Sequence, residues 1–167
     1  MFDDPSTALP SSTPERLNFR ERSLLFTANQ LLGRDWSLGL RYRLAEAELA
    51  ERLTSLSPTL YTQAANDHRA LLHQLLLSAN FNHPSGFHAQ FQSLWNAQEN
   101  SGYAPAQPGD DFWQFNLLAG WRLWHRHADV TLGVLNLADH GYHLNPLSLH
   151  GELPRERTFI ASVRFTF

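Results

Sequence analysis

A strict alternation of apolar and polar side chains limits this chain more than any other feature. From Phe87 to Gln98 the odd positions are Phe87, Ala89, Phe91, Ser93, Trp95 and Ala97, with His88, Gln90, Gln92, Leu94, Asn96 and Gln98 between them. From Trp113 to Leu123 the odd positions are Trp113, Phe115, Leu117, Ala119, Trp121 and Leu123, set against Gln114, Asn116, Leu118, Gly120 and Arg122. Trp36, Leu38, Leu40, Tyr42 and Leu44 alternate with Ser37, Gly39, Arg41, Arg43 and Ala45, and Phe159, Ala161, Val163, Phe165 and Phe167 with Thr158, Ile160, Ser162, Arg164 and Thr166. Successive side chains of a strand point to opposite faces, so a period of two makes each segment a ribbon with one greasy and one wet side.

The breaks between ribbons also alternate. Short ones fall at 33–35, 82–86 and 124–127, and longer polar ones at roughly 50–67, 100–110 and 138–156. Short turns on one side and long loops on the other mark an outer-membrane barrel. The expected fold is all-β: an antiparallel up-and-down meander of about seven strands, near 22–32, 36–48, 68–81, 87–99, 111–123, 128–138 and 157–167, forming part of a transmembrane β-barrel. Residues 1–20, rich in Pro, Ser, Thr and Asp, are expected as a loop, and 21–167 as the barrel portion. If Phe167 ends at the periplasm, every short turn lies on the periplasmic side.

Composition agrees with a strand-built membrane protein. Charged residues are only 17% of the 167, against about 25% in soluble domains. No stretch approaches the ~20 apolar residues of a membrane-spanning helix, and barrel strands need none, because alternate residues face the lumen. Trp36, Trp95, Tyr103, Trp113, Trp121 and Trp124 lie near expected strand ends, where rings that are half greasy and half wet favour the membrane interface.

Local propensity points elsewhere in the first half. Leu71, Leu72, Leu75 and Leu76 follow a helical stripe, 44–56 is built from good helix formers, and 23–32 ends at Gly33, a fitting helix C-cap. An α+β module, soluble and serving binding or structure, with helices packed on a small antiparallel sheet, is therefore the second architecture open at this point.

The last forty or so residues carry a more specific pattern. Val134, Asn136, Leu137, Asp139 and Tyr142 spell V-x-N-L-x-D-x-x-Y, and Pro154, Arg155, Arg157 and Thr158 then lead to a terminal Phe167. This resembles the C-terminus of TonB-dependent outer-membrane receptors and their close relatives. Weaker similarity runs through 38–42, 86–87 and 109–114.

The resemblance settles the choice in favour of the barrel. It implies a bacterial outer-membrane location, a share in ligand uptake and a lumen face carrying Arg41, Arg43, Gln90, Gln92, Gln114, Asn116, Arg122 and Arg164. It also implies that Phe165 and Phe167 form the signal read by the barrel-assembly machinery. The implied partners are outer-membrane lipid, the remainder of a barrel of roughly 22 strands with its plug, and TonB through an N-terminal part not present here. The long loops would supply part of the outer surface.

Other chemistries find little footing. A net charge of −3 gives no nucleic-acid footprint. With no cysteine there is no disulfide or thiolate metal site. His125 and His127 occupy a turn and His140 and His143 a long loop, without carboxylates at recognised ligand spacing, so neither metal nor cofactor is expected. Asp110 and Asp111 follow a Pro-Gly turn and read as loop polarity. Glu152, Arg155, Glu156 and Arg157 read as a cluster that sets the start of the last strand. No nucleophile, phosphate or dinucleotide motif is present, so an enzyme is not expected.

Overall fold

A computed structural model describes residues 13–56, 59, 64–123 and 127–166. Seven strands follow one another: β1 (Glu15–Leu32), β2 (Trp36–Leu53), β3 (Ala65–Asn82), β4 (Phe87–Ser101), β5 (Asp111–Leu123), β6 (Ala128–Leu135) and β7 (Thr158–Phe165). Each pairs antiparallel with the next in one open sheet, in sequence order. This is the expected all-β meander, and the sheet is not closed.

Some boundaries differ from expectation. β1 begins at Glu15, inside the segment expected as loop, and pairs with β2 along its whole length, Glu15 opposite Leu53 and Leu32 opposite Trp36. β6 stops at Leu135 because Asn136 turns to φ 51, which ends extended backbone. Residues 1–12 of the N-terminal segment, together with Trp124, His125, Arg126 and Phe167, lie outside the described residues.

The three segments with helical propensity contain no helix: they lie in β1, β2 and β3, with 54–56 in the turn after β2. The Leu71, Leu72, Leu75 and Leu76 cluster divides between the two faces of β3: Leu71 and Leu75 on one, Leu72 and Leu76 on the other. Both faces are apolar there, and a strand with two greasy faces imitates a helix stripe. Gly33 does adopt the left-handed φ of +66, but in the β1–β2 hairpin turn and not at a helix end. Its conformational signal is shared by the two architectures.

Register sorts every strand residue onto one of two faces. One face carries Leu24, Phe26, Leu38, Leu40, Leu75, Leu77, Phe91, Phe115, Leu117, Val130, Leu132, Phe159 and Val163, and is called here the outer face. The other, the inner face, carries Glu21, Arg41, Arg43, Gln74, Gln90, Gln92, Asn96, Gln98, Gln114, Asn116, Arg122 and Arg164.

The candidate inner wall and its strap

The eight residues expected on the lumen side share the inner face, but their surroundings differ. The cause is the β6–β7 connection, residues 136–157. Expected as part of the outer surface, it folds back as a strap over the inner face. Its contacts step across the sheet: Gln114 on β5 donates to Pro154 O at 2.7 Å, and Gln98 on β4 donates to Asn145 O at 3.1 Å. Ser148 lies against Ala70 on β3, and Arg43 on β2 donates to Leu149 O at 2.7 Å. From β6 to β2 is four inter-strand spacings, about 19 Å.

The strap lies flat because the wall beneath it is made small. Ala45, Ala47 and Ala70 are each 0% exposed, and Ala47 pairs with Ala70 directly across β2 and β3. Leu72 and Ser148 are also fully buried. The alanines that favour a helix on paper are the positions where a strand must let another backbone approach. Register places Leu72 on the same inner face, opposite Ala45.

The motif residues build the strap's base. Asn136 is fully buried, and its side chain donates to His140 O (2.9 Å) and Pro154 O (3.2 Å) while accepting from His140 N. Its backbone N–H donates to Asn116 Oδ1 at 3.0 Å. Asp139, also at positive φ (53), accepts from Arg157 N at 2.7 Å, and the Arg157 guanidinium donates to Leu137 O. The Tyr142 hydroxyl donates to Leu153 O and accepts from Leu153 N. The ring of Tyr142 stacks on Phe112 (5.1 Å), with the Arg155 guanidinium 5.5 Å from its centroid. Arg155 and Arg157 thus act through a ring and a carbonyl, and among the described residues the 152–157 charge cluster holds no ion pair.

The lumen candidates now separate by what they touch. Arg43, Gln114 and Asn116 hold the strap, Gln114 being 0% exposed. Gln92 accepts from Asn116 Nδ2. Arg122 lies 3.5 Å from Asp129 and donates to Asn82. Arg41, Gln90 and Arg164 bear no hydrogen bond or ion pair among the described residues. Phe165 ends β7 on the outer face, whereas Phe167, its partner in the expected assembly signal, lies outside the described residues.

A second inner-face cluster escaped the sequence reading. His88 sits 3.2 Å from Thr131 Oγ1 and 3.7 Å from Asp129. It fits because Gly120, directly opposite on β5, has no side chain: a Cβ there would come within 2.7 Å of the imidazole. The signal available in sequence was a lone glycine inside an alternating strand.

The outer face is organised as a band. Near the short turns Trp36, Phe81, Phe87 and Trp121 run across four strands with ring centroids 4.8, 6.1 and 5.1 Å apart. Toward the long loops Tyr42, His73, Trp95 and Trp113 form a second row, spaced 6.2, 6.3 and 6.3 Å. The indole N–H of Trp121 donates to Ser85 O in a turn, and that of Trp95 to Asp111 at the loop end, so both polar tips point out of the band. Trp113 and Trp121 are eight residues apart on β5, about 27 Å along the strand and about 20 Å along a membrane normal at usual barrel tilt. Between the rows the outer face of β2–β5 is Leu38, Leu40, Leu75, Leu77, Ala79, Ala89, Phe91, Phe115, Leu117 and Ala119, with Ser93 buried among them.

Among the described strand residues, charge returns on this face past the loop-side row. There Glu46 pairs with Arg69 and Arg52 with Asp67 (2.7 Å), and Arg20 and Arg22 lie opposite Glu48 and Glu46.

Comparisons with family models, with curated proteins and with solved structures returned no match.

Proposed function

We propose that this chain is the C-terminal portion of a TonB-dependent-receptor-like barrel of the bacterial outer membrane, taking part in ligand uptake across that membrane. The observation that carries the reading is the uncharged outer band between two aromatic rows, backed by a polar inner wall. A greasy face about 20 Å tall, with indole tips at its edges and no charged strand residue between them among the described residues, has the dimensions of a lipid-facing barrel surface, where the apolar belt is roughly 25 Å. A sheet packed on a soluble partner has no need of aromatic rows at two fixed heights.

In this reading lipid is the partner of the outer face, and the rest of the barrel and its plug are partners of the β1 and β7 edges. The barrel-assembly machinery would read the end of β7. The strap narrows the lumen from the wall inward. Its motif residues serve to fix that inward path, a structural task that suits their burial.

The test is to express the chain with an outer-membrane export signal and fractionate the cells. The reading expects recovery in the outer membrane, resistance to carbonate wash, release by detergent and a β-type circular dichroism spectrum. A chain that stays soluble and monodisperse without detergent refutes it.

A further inference from the structure

β1 is a free edge of the sheet, and its 18 residues pair with β2 in one unbroken register. We propose that this edge is a docking site for one antiparallel strand that carries acidic residues on its outer face at the long-loop end and apolar residues on its inner face. The inference deepens the partnership proposed for the β1 edge, and rests on that reading for the partner's place beside β1 in the barrel.

Three observations converge on a strand as the occupant. The first is the open ladder. An edge strand turns every second N–H and C=O outward, and free edges are normally guarded by proline, a bulge or charge. β1 has neither proline nor bulge, and from Ser23 to Leu32 it bears no charge. The second is a greasy inner face where a barrel wall is otherwise wet. Leu17, Phe19, Leu25 and Leu31 lie opposite Glu51, Leu49, Arg43 and Ser37 on that face, and each is 50–74% exposed. The strap stops short of them: its furthest hydrogen bond among the described residues is to Arg43 on β2.

The third is positive charge left over on the outer face. The side chains of Arg16, Arg20 and Arg22 have no hydrogen bond or ion pair among the described residues. Glu46, opposite Arg22, pairs with Arg69 on β3, and Asp67 pairs with Arg52. On the outer face of β2 and β3 that leaves Glu48, which stands opposite both Arg20 and Arg69. Directly opposed side chains of antiparallel strands lie about 4.5–5.5 Å apart, where opposite charges stabilise the pair and like charges oppose it. Asp or Glu on an added strand would meet these arginines at that distance. Because an antiparallel partner of β1 runs toward the long loops, its acids fall near its C-terminal end. Anionic lipid headgroups would match the charge yet cover neither the backbone edge nor the inward apolar side chains.

The test is amide hydrogen exchange of the full chain, one copy per detergent micelle at low salt, with two synthetic strand peptides as long as β1. Both alternate apolar residues in the same order, and they differ only in carrying Glu or Lys at the positions opposite Arg16, Arg20 and Arg22. The Glu peptide is expected to slow exchange at every second residue of β1 and to bind about tenfold or more tighter than the Lys peptide. The double variant Arg20→Glu, Arg22→Glu should reverse that preference, and Arg34→Gln, in the β1–β2 turn, should leave it unchanged. The proposal is overturned if neither peptide protects β1 while β2–β5 stay protected, or if the unaltered chain binds the two equally. Displacement of the Glu peptide by phosphatidylglycerol added to the micelles overturns it in favour of a lipid headgroup. Membrane fractionation reports on the barrel reading separately, so failure of one is distinguishable from failure of the other.

Discussion

Three features that hold the strap meet in Asn136. It holds a left-handed backbone conformation that asparagine tolerates better than most residues, it is fully buried, and it satisfies backbone groups of both His140 and Pro154. Asn136→Ala should cost about 3 kcal/mol in denaturant unfolding, combining backbone strain with orphaned polar groups. Asn136→Gly should recover about 1 kcal/mol of that, since it restores the conformation but not the bonds. In both variants, amide exchange should accelerate across 136–157 and leave β2–β5 protected. At the same scale, Ala47→Leu would push a side chain into the strap's path. It should destabilise by about 1–3 kcal/mol and expose the strap to proteolysis, whereas Ala50→Leu on the outer face should be nearly neutral.

Among the elements, β5 separates the two faces most clearly. Leu117 stands midway between Trp113 and Trp121 on the outer face, and Gln90 lies on the inner face of β4, opposite Leu118. Leu117→Arg should cost about 2–4 kcal/mol in equilibrium unfolding from lipid vesicles, the price of a charge near the bilayer midplane. Gln90→Arg should cost well under 1 kcal/mol. Equal costs would show that the band does not face lipid.

The strands were legible in sequence wherever the alternation was clean, as in β4, β5 and the start of β2, because a period of two has a single structural meaning. It failed in β3 and the second half of β2. There the inner face is itself apolar or alanine-rich to seat the strap, and the period is erased. The strap could not be foreseen. Its contacts join Arg43, Ala70, Gln98 and Gln114 to residues 40–106 positions away in sequence, through carbonyls that no side chain announces. The motif residues were visible as a pattern, but their role in folding the connection inward was not.

The whole sheet carries a constraint of direction. β1 and β7 are the two free edges, and both run from the long-loop side to the short-turn side. Antiparallel closure therefore needs an odd number of added strands. Two copies inserted the same way up would set β7 beside β1 in parallel and could not complete an antiparallel barrel. The chain reconstituted alone in planar bilayers should accordingly give no stable conductance steps, and uniform steps of one size would contradict this. Unpaired edges of this length are also templates for strand addition, so the isolated chain should associate through β1 unless another segment covers it.

The central claim is contact between the outer band and lipid, and tryptophan quenching in vesicles of brominated phospholipids reads it most directly. Trp36, Trp95, Trp113 and Trp121 all lie on the outer face at the two edges of the band. The account predicts strongest quenching of these indoles by bromines placed shallow in the acyl chains. A tryptophan introduced as Leu117→Trp should be quenched best by bromines near the bilayer centre. Fluorescence untouched by bromine at any depth, yet quenched by aqueous iodide, would contradict it.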